Sequence, residues 1–233
     1  MVAFLHECSH FLTAKLCRVE VESFVFLPFG FYAKMPKLER ARPLSQFLVV
    51  LMGPLSYFPA VAILTLLYRT GILSAYSYSY GCQAALTILL FNLIPLYPLD
   101  GARLLEILIA RHFDEYKTRI MRIAITLLAY IGLFMICLRE NQLIVLIFLT
   151  VSTFTEVLFF RKKYVQFLLY RLFDETKRPL RVVRKARIFR YFNNKLLEEG
   201  RLKDEKEVVL RLLNSQKSSS KEEKYIEERT DKR

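Results

Sequence analysis

The sequence predicts an all-α membrane protein: a polytopic transmembrane helix bundle of about five spans, with a short re-entrant β-like hairpin and a small cytoplasmic tail. Three observations lead there. Hydrophobic residues make up 54% of the 233 and mean hydropathy is +0.26, more apolar than one soluble domain of this length should be. The apolar residues are gathered into runs of near membrane-spanning length. Lys and Arg are plentiful in 18–42, sparse in 68–81, plentiful in 100–122, sparse in 139–142 and plentiful after Phe160. That alternation is the positive-inside pattern of five spans with the tail in the cytoplasm.

The first run, 1–16, carries His6, Glu7 and His10 in the spacing H-E-x-x-H. On a helix, positions i and i+4 share a face, so the two imidazoles can hold one Zn²⁺ while Glu7 stays beside it as a base. The plainer reading is a core helix with two satisfied histidines. Cys8, two residues from each histidine, points away from their face. No basic n-region and no small-residue cleavage site mark 1–16 as a signal peptide. Five residues ahead of His6 are few for a spanning helix, so an N-terminal truncation or an internal start is expected.

The stretch 15–43 holds Leu27-Pro28-Phe29-Gly30 among aromatics. Alternation over 21–26 suits extended backbone and Pro-Phe-Gly suits a turn. A re-entrant hairpin beside the metal site and an ordinary surface loop both fit, the former only where protein buries the backbone. The second span, 46–67, contains Gly53-Pro54 and Pro59, which a membrane bundle tolerates at close packing. The Tyr-Ser repeat in 69–81 suits an interfacial loop.

The third span, 82–96, ends in Asn92-Leu93-Ile94-Pro95-Leu96-Tyr97-Pro98-Leu99-Asp100-Gly101. Its prolines break the helix into a turn that presents Asn92 and Asp100. A carboxylate at that depth is costly, and its obvious partner is the metal held by His6 and His10. Spans at 123–138 and 143–160 follow. Glu156 reads as a snorkelling carboxylate paired with the cationic helix end near Arg161, and His112 as a solvated residue. The organisation expected is therefore a membrane domain over 1–172, a small basic cytoplasmic segment over 173–213, helical or mixed, and a disordered charged tail over 214–233.

Net charge is +13, and from Arg161 onward 22 Lys+Arg stand against 12 Asp+Glu, or +10. A basic tail directly after an apolar span is an orientation signal or a contact with the lipid bilayer. No nucleic acid is expected as a partner, since no helix-turn-helix or RNP-type pattern accompanies the charge. Cys8, Cys17, Cys82 and Cys137 lack framework spacing and read as buried thiols.

With both motifs in view, the chain resembles the site-2 family of intramembrane zinc metalloproteases, peptidase family M50, and within it the sporulation branch. The carrying residues are His6-Glu7-Cys8-Ser9-His10, Gly53-Pro54-Leu55, Asn92 to Gly101, Leu27 to Gly30, and 148–169. The resemblance implies that His6, His10 and Asp100 are zinc ligands and Glu7 the catalytic acid/base. It also implies that Asn92 and Leu27, Pro28, Phe29 and Gly30 bind substrate. The cofactor would be Zn²⁺ and the substrate a membrane-tethered pro-protein. For the sporulation branch that is the precursor of a late mother-cell sigma factor, with inhibitory membrane-protein partners, and the tail faces the mother cell.

The sequence departs from the family at Ser9 and Ala102, where glycine is common. Set against the family, its first helix and half of its second are expected to be missing, and its nucleotide-sensing module is not recognisable. The expected activity is peptide hydrolysis by zinc-activated water with Glu7 as general base. Rival readings are an impaired or truncated homologue acting as a membrane scaffold, and a zinc transporter.

Overall fold

The structure, a computed structural model, describes residues 1–216 except 28–29, 36–37, 140–141, 175, 177 and 199, with the backbone alone at 23–27, 30–34 and 40. It is mostly helical and divides into two compact units, 1–108 with 122–153, and 109–121 with the residues from 154 on.

In the first unit, α1 (Val2–Leu16) stops at a left-handed residue, Arg18 (φ 56°). The Arg18 N–H bonds Lys15 O at 3.0 Å and the Val19 N–H bonds Ala14 O at 2.8 Å. This Schellman pairing satisfies the last carbonyls, and it folds Val19 back onto Ala14 and Val49 in one buried cluster. The chain then makes an antiparallel hairpin, β1 (Ser23–Leu27) with β2 (Gly30–Lys34), in which Leu27 faces Gly30. β2 lies against α1.

α2 (Pro43–Leu55) begins with proline at its first turn, where no N–H is needed. It runs through Ser56 into α3 (Tyr57–Arg69). The two make one apolar stretch of 27 residues, about 40 Å long. α4 (Ala75–Leu93) starts at Ser74, whose hydroxyl accepts the Ser77 N–H at 3.1 Å. The Tyr-Ser repeat expected in a loop is therefore helical. Ser74 supplies the N-cap, and Tyr78 stacks on Tyr68 with centroids 4.9 Å apart. α5 (Asp100–Ala110) follows the proline-rich turn, and α6 (Glu115–Arg139), α7 (Leu143–Leu158) and α8 (Phe160–Phe173) complete the helical part.

Among the described residues two helices, Pro43–Arg69 and Glu115–Arg139, are long and apolar enough to cross a membrane. They become three if α7 and α8, which meet at 53°, form one broken span. These three cover the runs expected at 46–67, 123–138 and 143–160. α1 has 15 residues, about 22 Å, which is short of a bilayer's 30 Å. α4 is diluted by its tyrosines and serines.

The second unit is not all-α. β3 (Leu180–Val183) pairs in parallel with β4 (Asn193–Glu198), which pairs antiparallel with β5 (Arg201–Lys203), and a ninth helix, α9, spans 205–216. One sheet face buries Val183 and Leu196 with Leu168, Ile188, Val208 and Val209. α8 thus belongs with the tail, although the sequence suggested a boundary at 172. The start expected for a disordered tail, 214, is helical to 216, and 217–233 lie outside the described residues. Glu156 is buried and ion-pairs with Lys163, because the bend at Phe159 turns that lysine back over it.

Candidate metal centre

α1 brings His6 and His10 to one buried face, and α5 brings Asp100 to meet them; the three are 5%, 8% and 6% exposed. Asp100 Oδ2 lies 3.1 Å from His6 Nε2 and 3.1 Å from His10 Nε2, and the two Nε2 atoms are 3.3 Å apart. His10 Nδ1 is 2.8 Å from the Val49 carbonyl of α2. A carbonyl only accepts, so Nδ1 carries the proton and a neutral His10 turns the lone pair of Nε2 toward the other two donors. Two imidazole nitrogens and a carboxylate oxygen facing one another out of water repel unless a cation sits among them. A tetrahedral ion bound at 2.0–2.1 Å spaces its ligands about 3.3–3.4 Å apart, close to the separations seen. The donor set therefore fits a divalent metal of zinc's size, and these three residues form the one such cluster among the described residues.

The surroundings explain why this arrangement forms. A β-carbon on Gly53 would lie 2.1 Å from His10 Nε2 and 2.2 Å from Cε1, so only glycine lets the ring rest on α2. Val49 and Gly53 are one turn apart on α2, and together they grip His10 from below with backbone alone. Asp100 is set in the same manner. The chain leaves α4 at Leu93, crosses the cis Tyr97–Pro98 bond and re-enters helix at Asp100. A β-carbon on Gly101 would lie 2.2 Å from Leu93 O and 2.5 Å from Ile94 O, so glycine is needed for α5 to start against the end of α4. Leu96, wholly buried, and Leu99 anchor the turn against Leu149.

Glu7 is half-buried on α1 next to His6, in the electrostatic field of His10, His6, Asp100 and Arg103. Ser9 donates its hydroxyl to Leu5 O at 2.8 Å, within its own helix. Ala102 is buried behind the start of α5. Neither departure from glycine enters the donor cluster. Cys8 is not among the converging groups, and His112 is exposed. Asn92, at the end of α4, donates Nδ2 to Ile88 O at 2.9 Å. Leu27 and Gly30 face each other as the last pair before the connection of the hairpin, while Pro28 and Phe29 lie outside the described residues. Two contributors had escaped the sequence reading. The Val49 carbonyl has no signature in a sequence, and Gly53 signalled close packing without saying against what.

Residues 1–84, which include both histidines, match peptidase family M50. The chain is similar to the stage IV sporulation protein FB of Bacillus subtilis strain 168, 26% identical over 183 residues, covering 76% of this chain and 63% of that protein. A zinc metalloprotease of Methanocaldococcus jannaschii is 30% identical over 117 residues, 49% of this chain and 34% of that protein. The chain thus spans less than two thirds of the length of these relatives. In fold it matches the solved site-2 protease from Methanocaldococcus jannaschii, with a TM-score of 0.53 at 22% identity over 66% of this chain and 73% of the other.

Proposed function

We propose that this chain, with the site-2 protease fold and an M50-type arm carrying both histidines, is a membrane-embedded zinc metalloendopeptidase. Its substrate is a membrane-tethered protein. The observation that carries the reading is the convergence of His6 Nε2, His10 Nε2 and Asp100 Oδ2 at 3.1–3.3 Å, with the lone pair of His10 aimed inward by the Val49 carbonyl. Zinc held there would lower the pKa of a water toward about 7 and polarise a peptide carbonyl.

The chain's own residues do the rest. Glu7 takes the proton from the attacking water and returns it to the leaving amine. A helical substrate hides its carbonyls in i to i−4 bonds and must be extended before attack. The hairpin strands that end at Leu27 and begin at Gly30, the second of which lies along α1, supply an edge for strand addition, and Pro28 and Phe29 are assigned to the same substrate contact. Asn92 supplies a carboxamide for the same purpose. Similarity to a sporulation protein points to a pro-sigma factor as substrate, with inhibitory membrane-protein partners and the tail in the cytoplasm on the mother-cell side.

A scaffold without activity drew its support from the expected N-terminal truncation and from Ser9 and Ala102, and the two substitutions are accommodated outside the donor cluster. The deciding measurement is Glu7→Gln in purified protein. It should retain one zinc per chain and lose cleavage of a membrane-tethered substrate by at least about 100-fold. Cleavage at the wild-type rate, or wild-type protein without stoichiometric zinc, would refute the reading.

A further inference from the structure

In the second unit the three-stranded sheet has two unlike faces. The face carrying Val183 and Leu196 is covered by α8 and α9. The registers Leu180↔Asn193, Val182↔Lys195 and Leu197↔Leu202 place the alternate residues on the other face. There Leu180 is 57% exposed, Val182 51%, Leu197 40% and Leu202 56%. Four large aliphatic side chains on one open face of so small a sheet are more than scattered surface apolarity. We propose that this outer face docks on the surface of an anionic lipid bilayer.

Charge and chain length both select that occupant. Over 178–203 the sequence has nine Lys+Arg against two Asp+Glu, or +7. Some of these cations are engaged: Arg190 with Glu115 at 2.8 Å and Lys203 with Glu198 at 2.5 Å. Arg184 and Lys185 are exposed at the end of β3, and Lys195, paired with Val182, lies on the outer face itself. Aliphatic side chains on a face rimmed by cations match the acyl boundary and headgroups of anionic lipid, which a protein partner would match only with an acidic rim around an apolar centre. The sheet is also held near a bilayer. α7, the most apolar helix, gives way at Phe159 to Arg161-Lys162-Lys163. Only residues 174–179 separate α8 from β3, a reach of at most about 25 Å. α8 starts at that exit, and its Leu168 packs on the covered face of the sheet, so the outer face meets lipid headgroups at high effective concentration.

The chain has no tryptophan, so single indoles report their own depth. Full-length Val182→Trp and, independently, Leu202→Trp would be reconstituted in phosphatidylcholine vesicles with or without phosphatidylglycerol, with bromine on the acyl chains. The expected result is about twofold quenching of both in anionic vesicles, from an indole 5–10 Å inside the headgroup boundary, and little in neutral ones. Lys206→Trp, on α9 across the sheet, stays unquenched. Ile147→Trp, exposed on α7, is quenched in both and verifies insertion. Reversing Arg184, Lys185 and Lys195 to Glu removes the effect, since each cation contributes about fivefold to partition. With Ile147→Trp quenched, an unquenched Val182→Trp and Leu202→Trp overturns the proposal and leaves the membrane location intact. So does quenching independent of lipid charge. Shielding of either indole in lipid-free detergent that grows with protein concentration also overturns it, in favour of a second copy on this face.

Discussion

Gly53 decides whether His10 can be a ligand. Its missing side chain leaves room for an imidazole that would otherwise lie 2.1 Å from a β-carbon, and neither α2 backbone nor a buried ring has slack to absorb that overlap. Gly53→Ala should push the ring off Val49 O and weaken zinc binding by 10- to 100-fold, the range typical of lost second-shell support. Helix content should stay unchanged. Competition against a fluorescent chelator measures it, and an unchanged zinc affinity would show that α2 yields instead of His10. Legibility at this scale follows the type of group. His6 and His10 could be read because a ligand pair on one helix must recur at i and i+4. Asp100 could be read because a carboxylate in an apolar run is expensive. The Val49 carbonyl could not, because every residue of the chain offers the same group.

Elements were legible where one cause fixes them. Pro43–Arg69 and Glu115–Arg139 each hold an apolar run of membrane-spanning length, and hydropathy alone finds them. The start of α4 depends on a serine cap and a tyrosine stack with α3, which local polarity hides. The tail's mixed α/β character depends on which short apolar clusters pair. Its determinant is a buried network instead of a pattern. Glu115, 1% exposed, accepts from Arg119 at 2.7 Å and takes Arg190 in a bidentate pair at 2.8 Å. Its own N–H bonds Ile188 O at 2.8 Å, tying the first turn of α6 to the loop before β4. Glu115→Gln keeps the shape but removes the negative charge that two buried guanidinium groups share, a loss of about 3 kcal/mol in the second unit. Hydrogen exchange across β4 and α9 should accelerate correspondingly while α2 is unaffected. Unchanged protection in β4 would mean that water replaces the carboxylate.

At the scale of the whole molecule the donor cluster is a long-range tie. His10 and Asp100 are 90 residues apart, and their meeting requires α1 on α2, the turn after α4, and α5 starting against Leu93. Sequence spacing reveals each half of the site but not their convergence, which exists only once those helices are packed. By the same logic a metal held by these three residues would stabilise that packing, because the unfolded chain has no preformed site. An ion present at a hundred times its dissociation constant contributes about 2.7 kcal/mol to the state that binds it. That contribution falls on the first unit, since all three ligands belong to residues 1–108. Withdrawing zinc with a chelator should therefore speed hydrogen exchange in α1 and the start of α5 by up to about 100-fold, and leave β4 and α9 unchanged. In His10→Ala the chelator should make no difference. Equal acceleration in both units would locate the stabilising ion elsewhere, and no acceleration in either would mean that the packed helices hold the three ligands together without it.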